Sequence, residues 1–330
     1  MRRFQEAGLV FVILALGAAL TWLSDPVTVR GETLNNFLRL DNLLANVATP
    51  MSWMAIMALG ATLVIISGGI DLSIGSLVGL CATVFAMLLI DYHWPPALAM
   101  GATLLLGAAA GLLHGVIVTK LKMQAFVVTL CGLFIYRGLS LWIAGSQVKG
   151  LGSEFQTMKY VLAKNHLFFG LPVQLLIFLI LAAIAAVFMH WSVYGRYLFA
   201  IGSNERAVLF SGVSIDRYKI LAYVICSTLA AFFGILYLAE ENAAQPSTTG
   251  NFLELYAIAG AVLGGCSLRG GDGTVLGIMI GTTILWILPN FSLMWGVPSD
   301  LKYAVIGSAL FLGALIDEQL RQRGKAAKGK

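Results

Sequence analysis

Residues 191–219 read WSVYGRYLFAIGSNERAVLFSGVSIDRYK, and they interrupt a sequence that is otherwise almost continuously apolar. Arg196, Glu205, Arg206, Asp216, Arg217 and Lys219 all fall within this one segment. Lipid satisfies no exposed backbone group, so a polar insert of this length between apolar runs lies in water or against another protein. Ser203 is expected as the N-cap of a short helix over Asn204 to Leu209, with Arg206 three residues after the cap. The acid that would complete a capping box falls at Glu205 instead. Read alone, the insert is an ordinary loop, and its weight comes from its surroundings.

Those surroundings are membrane-like. The 330 residues are 59% hydrophobic and 11% charged, whereas a soluble domain carries roughly 25% charged residues. An ordinary globular enzyme is excluded. The net charge of +5 implies no nucleic-acid partner, because the basic residues sit in loops and tails, where they orient a membrane protein. Cys81, Cys131, Cys226 and Cys266 each stand alone in an apolar stretch with no CxxC pair, and read as small apolar side chains. The first apolar run follows Met-Arg-Arg, has no small-residue cleavage site and closes on Trp22, so it is expected as a retained span.

A helix needs about 20 apolar residues to cross the hydrocarbon. Ten runs qualify, near 7–23, 47–67, 73–90, 97–118, 125–144, 171–190, 220–239, 253–268, 274–289 and 302–317, the eighth and ninth being short and glycine-rich. The expected fold is therefore all-α: one polytopic transmembrane helical bundle over 1–330, with both termini cytoplasmic. Residues 191–219 form its cytoplasmic insert and 318–330 a basic cytoplasmic tail. In this orientation fourteen Lys and Arg lie inside and six outside, and Arg137 lies within a span, as positive-inside topology requires. Small residues, Gly101, Gly107, Gly111 and Gly115 among them, crowd the fourth run, and Gly273, Gly277 and Gly281 recur at spacing four in the ninth, patterns that let helix backbones approach closely.

Two glycine-rich breaks resemble each other. One is Ser67-Gly-Gly-Ile-Asp-Leu-Ser-Ile-Gly-Ser76, carrying Gly68, Gly69, Asp71, Ser73 and Gly75. The other, Gly264-Gly-Cys-Ser-Leu-Arg-Gly-Gly-Asp-Gly273, carries Gly270, Gly271, Asp272 and Gly273. Breaks of this kind suit tight turns whose Asp caps the following helix, or half-helices lining a cavity.

The ordered set of motifs resembles the permease subunits of bacterial ribose-type sugar ABC importers. It runs from Asp41-Asn-Leu-Leu-Ala-Asn through Ala58 to Ser76, Ala125-Phe-Val-Val-Thr-Leu130, Arg137-Gly138 and Tyr194-Gly-Arg. It continues with Ala200-Ile-Gly-Ser-Asn-Glu-Arg-Ala207, Ser211-Gly-Val213, Glu254-Leu-Tyr-Ala-Ile-Ala259, Leu263-Gly-Gly265 and Gly270-Gly-Asp-Gly273, covering roughly residues 36–317. The chain departs from the family at His114, where Asn is usual, at Gln124, where Pro is usual, and at Gly260, where Ala is common. The resemblance implies a multi-pass protein of the bacterial inner membrane and a second permease copy, identical or a sister chain. It also implies two ABC ATPase subunits on the cytoplasmic face and a periplasmic sugar-binding protein. The segment holding Gly202, Asn204, Glu205, Ala207, Ser211 and Gly212 is then the element that couples to the ATPase. The chain has no GxxxxGK[ST] phosphate loop, so ATP and Mg are expected on the partner subunit. No cofactor, metal or catalytic residue is expected on this chain itself.

His114, Phe126, Thr129, Arg137 and Glu254 are the candidates for the pathway. A charge at the centre of a span costs about 2.5–3.5 kcal/mol on insertion scales, so Arg137 needs a partner, for which Glu254 is one choice. His114 fits a packing hydrogen bond as well as a substrate or proton contact. Glu240, Glu241, Asn242 and Gln245 form a polar mouth that a solvated loop would also explain. An ion- or proton-coupled secondary transporter is the rival reading. It calls for a relay of mid-span acids, whereas nearly every acid here falls at a span boundary or in a loop. A membrane-embedded enzyme has weaker support, since neither HExxH nor GxSxG occurs. Within the ABC class a branched-chain amino-acid permease is the nearest alternative.

Overall fold

The computed structural model describes residues 2–24, 26–29, 32–165, 170–294, 296, 298, 301, 304–308 and 311. It is a helical bundle. Helix α1 (Arg2–Leu23) is followed by a hairpin of β1 (Pro26–Val29) and β2 (Glu32–Asn35), paired antiparallel. Next come α2 (Leu40–Asn42), a π-helical stretch (Leu43–Ala48) and α3 (Thr49–Ile66), which run on as one rod. The chain continues through α4 (Ile74–Ile90), α5 (Pro96–Lys120) and α6 (Ala125–Ile143). Strand β3 (Lys149–Gly150), α7 (Gln156–Lys159) and a π-helical turn (Tyr160–Lys164) lead to α8 (Val173–Trp191). Two short helices, α9 (Val193–Ser203) and α10 (Glu205–Phe210), precede the long α11 (Ile215–Glu241). Strand β4 (Ala243–Ala244), which pairs with β3, α12 (Leu253–Leu263) and α13 (Val275–Met294) follow.

Five of these helical stretches are long and apolar enough to cross a membrane: Leu40–Ile66, Pro96–Lys120, Ala125–Ile143, Val173–Trp191 and Ile215–Glu241. The chain is thus a membrane helical bundle. Helix α3 is its axis, apolar on every face and almost wholly enclosed from Met54 to Ile66, as a helix without a polar face must be. Helix α11 crosses α3, α4 and α5 and closes the core around Tyr223, Cys226, Ala230 and Phe233. The small residues of α5 meet it: a Cβ on Gly111 would overlap the Tyr223 carbonyl and stand 2.7 Å from the Val224 Cα. Gly107 and Gly115 face Ser227 and Ile220 in the same way. Gly277 and Gly281 of α13 press on Gly264 and Gly260 of the α12 segment.

Two expectations change. The run read as a span over 253–268 is an eleven-residue helix, Leu253–Leu263, about 16 Å long against a hydrocarbon core of about 30 Å. Residues 245–252 approach it as irregular chain, because Pro246 lacks an amide and Gly250 adopts φ +83°, a conformation that glycine takes at least cost. Nor is the 67–73 break a tight turn. It runs from the end of α3 into the bundle, so that α4 begins among fully buried residues, Ser73, Ile74 and Gly75. The irregular segments meet there: a Cβ on Gly75 would overlap the Glu254 carboxylate, and one on Gly250 would overlap the Gly75 carbonyl. Of the run expected over 302–317, residues 304–308 and 311 are described and helical. The basic tail 318–330 lies outside the described residues.

Replacing Gly111 by Leu is expected to destabilise the bundle by about 2 kcal/mol or more, because backbone rather than a flexible side chain occupies the space. Unfolding of the purified protein in a denaturing detergent titration measures it, with Gly101→Leu, where a Cβ meets nothing within 4 Å, as the neutral control.

Candidate functional site

The polar insert folds as two helices. Ser192 caps α9 by accepting from the Gly195 amide at 3.0 Å, and Asn204 caps α10 by accepting from the Ala207 amide at 3.0 Å. The expected cap, Ser203, instead ends α9, its hydroxyl donating to the Phe199 carbonyl at 2.9 Å. Asn204 wins because its backbone is extended at φ −160°, ψ 89°, the geometry a cap requires. Ile201, Val208 and Ile215 form a small apolar cluster that holds α9 and α10 against the start of α11. Lys219 bonds Glu205 at 2.8 Å, and Lys120 of α5 bonds Asp216 at 2.6 Å. Ser211 donates to the Val208 carbonyl at 2.8 Å, and Gly212 turns the chain at φ +79°. The outer face of α10 presents Glu205 and the apolar Leu209 and Phe210, the last 88% exposed.

Beneath α9 three segments meet backbone to backbone. The Gly271 amide donates to the Ile66 carbonyl, the last residue of α3, at 2.9 Å. A Cβ on Gly202 would overlap both of those groups. Gly270, at φ +86°, packs so closely that a Cβ there would stand 3.0 Å from the Gly202 Cα and 3.1 Å from the Gly68 Cα. Gly271 lies equally close to the Ser203 amide. The two breaks that resemble each other in sequence are therefore joined in space, with the insert lying on the joint. Gly273 faces the side chains of Ile66 and Cys266. The Thr274 hydroxyl caps the start of α13, accepting from the Gly277 amide at 2.9 Å. A groove lined by Met189, His190, Arg196, Phe199 and Gly271 opens beside the joint.

The far ends of the breaks lie inside the bundle. Asp71 accepts from the Ser73 amide at 2.9 Å, and Thr129 of α6 reaches the Ile70 carbonyl at 3.3 Å. Gly69 passes under the Tyr223 hydroxyl, where a Cβ would stand 2.7 Å away. Arg137 donates through one nitrogen to the Pro246 carbonyl at 2.8 Å and to the Thr249 carbonyl at 2.7 Å. Its partners are thus backbone carbonyls. Glu254 lies within electrostatic reach, but among the described residues no ion pair joins the two. Asp71 and Glu254, read as boundary acids, are 2% and 7% exposed and belong to the interior, because the irregular segments carry them there. Phe126 is half exposed near the start of α6, whereas His114 and Thr129 are buried.

At the opposite end of the bundle, Glu240 is bound by Lys164 at 2.6 Å and by Gln174 at 2.9 Å, and Asn242 accepts from Lys159 at 3.0 Å. These groups knit loops together. Sequence reasoning missed α9, the Ile66 carbonyl, Tyr136, whose hydroxyl lies 3.0 Å from His114 Nε2, and the 245–252 limb. Only Pro246 and Gly250 within a polar stretch signalled the last. Among the described residues no group of three or more His, Cys, Asp or Glu is placed to hold a metal ion.

A family model described as branched-chain amino acid transport system / permease component matches residues 43–315. The ribose import permease protein of Escherichia coli strain K12 is 38% identical over 286 residues, 86% of this chain and 88% of that protein. The ribose import permease protein of Bacillus subtilis strain 168 is 35% identical over 283 residues, 86% and 85% of the two chains. The autoinducer 2 import system permease protein of Escherichia coli strain SMS-3-5 is 35% identical over 268 residues, 81% and 76% of the two. No solved structure matches the chain.

Arg137→Met leaves two interior carbonyls without a donor and is expected to cost about 3 kcal/mol. Arg137→Lys, which can still donate, retains part of that. Detergent unfolding of the two variants against the parent gives the ranking parent, Lys, Met.

Proposed function

The chain belongs to the branched-chain amino acid transport permease family, and we propose from this that it is the membrane-spanning subunit of an ATP-driven importer of a monosaccharide or related sugar-like solute. It is a permease of the bacterial inner membrane and not itself an enzyme. The cargo class is favoured by relatives of 35–38% identity that import ribose or autoinducer 2. The same relatives favour sugar over a branched-chain amino acid.

One observation carries the mechanism: α9 of the polar insert rests, main chain on main chain, against the last carbonyl of α3, where the first break begins, and against Gly270–Gly271 of the second. In this reading the irregular limb 245–252 and α12 together make one crossing, so that the chain crosses the membrane ten times with both termini in the cytoplasm, and α9–α10 lies on the cytoplasmic face. Two ATPase subunits bind there, each holding its own ATP and Mg. Leu209 and Phe210 offer the apolar contact, Glu205 the polar one, and Gly202, Asn204, Ala207, Ser211 and Gly212 shape the element. A displacement of α9 at Gly202 moves the Ile66 carbonyl and the Gly271 amide together. The first continues through Gly68–Ser73 into α4, the second through Gly264–Gly273 into α12. Because α4 and α12 begin against each other at Gly75 and Glu254, one push reorients both. Alternating access is then a population shift set by the nucleotide state of the partner. A second permease copy completes the pathway, and a periplasmic sugar-binding protein delivers the cargo to the opposite face.

Glu205→Lys reverses a charge on the exposed side of α10 and sets it beside Lys219, without entering the joint. It is expected to leave the permease folded while ATP-driven uptake falls by about tenfold or more, roughly 1.4 kcal/mol of lost coupling. The assay is uptake into vesicles holding the permease, the ATPase that co-purifies with it and the binding protein. Undiminished uptake removes α10 from the coupling contact. A permease purified without an ATPase that moves solute on a proton or sodium gradient alone removes the importer reading altogether.

A further inference from the structure

The limb between β4 and α12, residues 245–252, lies deep in the bundle yet presents polar side chains outward. Its depth follows from α4. That helix ends at Ile90 beside the exposed Tyr92 and Trp94, residues of the kind that gather at a membrane interface. Lys149 of β3 bonds Asp91 at this level, at 2.7 Å, and β4, paired with β3, starts the limb there. Further on, a Cβ on Gly79 would stand 2.6 Å from the Thr249 carbonyl, and one on Gly250 would overlap the Gly75 carbonyl. Gly79 and Gly75 lie about 16 and 22 Å from Ile90 along α4, in a hydrocarbon core of about 30 Å. The limb therefore descends past the middle of the bilayer.

Its two sides differ. Pro246, Thr249 and Gly250 are buried, and Arg137 takes the first two carbonyls. Gln245, Ser247, Thr248, Asn251 and Phe252 are exposed on the single chain. The turns satisfy much of their own backbone: the Thr248 and Thr249 amides bond the Gln245 carbonyl, and the Asn251 amide bonds the Thr248 carbonyl. Among the described residues no group bonds the hydroxyls of Ser247 and Thr248. Lipid offers such groups no hydrogen bond, and irregular chain at this depth persists only against protein or water. The four outward polar side chains carry no charge. Hydroxyls and amides both donate and accept, which suits the hydroxyls of a solute and gives a zwitterion no counter-charge. Phe252, held at φ +64°, a conformation uncommon outside glycine, adds a ring that is 52% exposed. Apolar area with a few convergent polar groups is the usual make-up of a small-molecule site.

We propose that the outward face of 245–252 lines the solute pathway, and that Ser247, Thr248 and Asn251 contact an uncharged, polyhydroxylated cargo within it. The limb runs directly into α12 and touches α4 at Gly75. The surface that meets the cargo therefore shifts with the two helices that the α9 joint reorients. Contact with a cargo rests on the importer reading above, whereas exposure of the limb to water does not.

The test uses the full-length permease in vesicles as Ser247→Cys, Thr248→Cys and, as control, Leu105→Cys on the apolar outer face of α5, where Leu105 is 71% exposed. The probe is a membrane-impermeant methanethiosulfonate bearing a quaternary ammonium group. Rates are read above the parent, whose exposed cysteine is Cys131. The thiolate is the reactive form, and apolar surroundings suppress it, so the limb cysteines are expected to react at least about tenfold faster than the control. Equal rates, as under lipid or beneath a second copy, overturn the proposal, and either limb variant decides if the other does not fold. ATP-driven uptake of D-ribose, the cargo named for two relatives, is then measured in the assembled system before and after modification. In the limb variants it is expected to fall by about tenfold or more and to return when dithiothreitol removes the adduct. In the control it stays the same. Uptake that survives modification of both limb cysteines overturns the pathway assignment. Fast labelling with no ribose uptake in any protein, parent included, counts against the importer reading for ribose and not against the water-exposed limb.

Discussion

Irregular backbone inside a membrane bundle survives only where protein supplies the hydrogen bonds that lipid cannot. That constraint accounts for three polar side chains of the interior. Arg137 serves the carbonyls of Pro246 and Thr249, Thr129 the carbonyl of Ile70, and Asp71 the amide of Ser73. Each of these side chains faces a place where a helix has been interrupted. Without the interruptions the bundle would need none of them, and α4 and α12 would be ordinary spans with nothing to transmit.

Glycine meets the complementary requirement of close approach. Along α5 and α13 it is a packing device, letting α11 and α12 lie against bare backbone. At Gly202, Gly270 and Gly271 it serves a different end, bringing a surface element within main-chain contact of the interior. The same residue thus provides helix packing in one place and a junction of three segments in another. Spacing distinguishes them: regular fours along one helix in the first case, clusters drawn from three segments in the second.

Much of this was legible in the sequence. Long apolar runs gave the helices, spacing-four glycines the tight interfaces, and the charged insert the surface element. Ordered motifs such as Ala200 to Ala207 pointed to the family. What escaped had physical causes. An eleven-residue half-helix and a full span share the same apolar composition, so 253–268 read as one crossing. Asp71 and Glu254 adjoin apolar runs and so read as boundary acids, because nothing local shows that the chain turns inward beside them. Ser203 and Asn204 are both good caps, and only the extended backbone at Asn204 separates them. Tyr136 was invisible because its role depends on α5 bringing His114 to it from twenty-two residues away.

The joint beneath α9 is built from main-chain atoms, and this bears on how such a chain diversifies. Contacts made by side chains drift as those side chains are exchanged. A contact between one segment's amide and another's carbonyl is indifferent to residue identity, provided that its neighbours remain glycine. In the importer reading proposed above, the surfaces that meet the cargo are therefore free to vary without retuning the contact that receives the motor's stroke. On that reading cargo preference and energy supply are separable traits, so that a change of diet need not entail a change of engine.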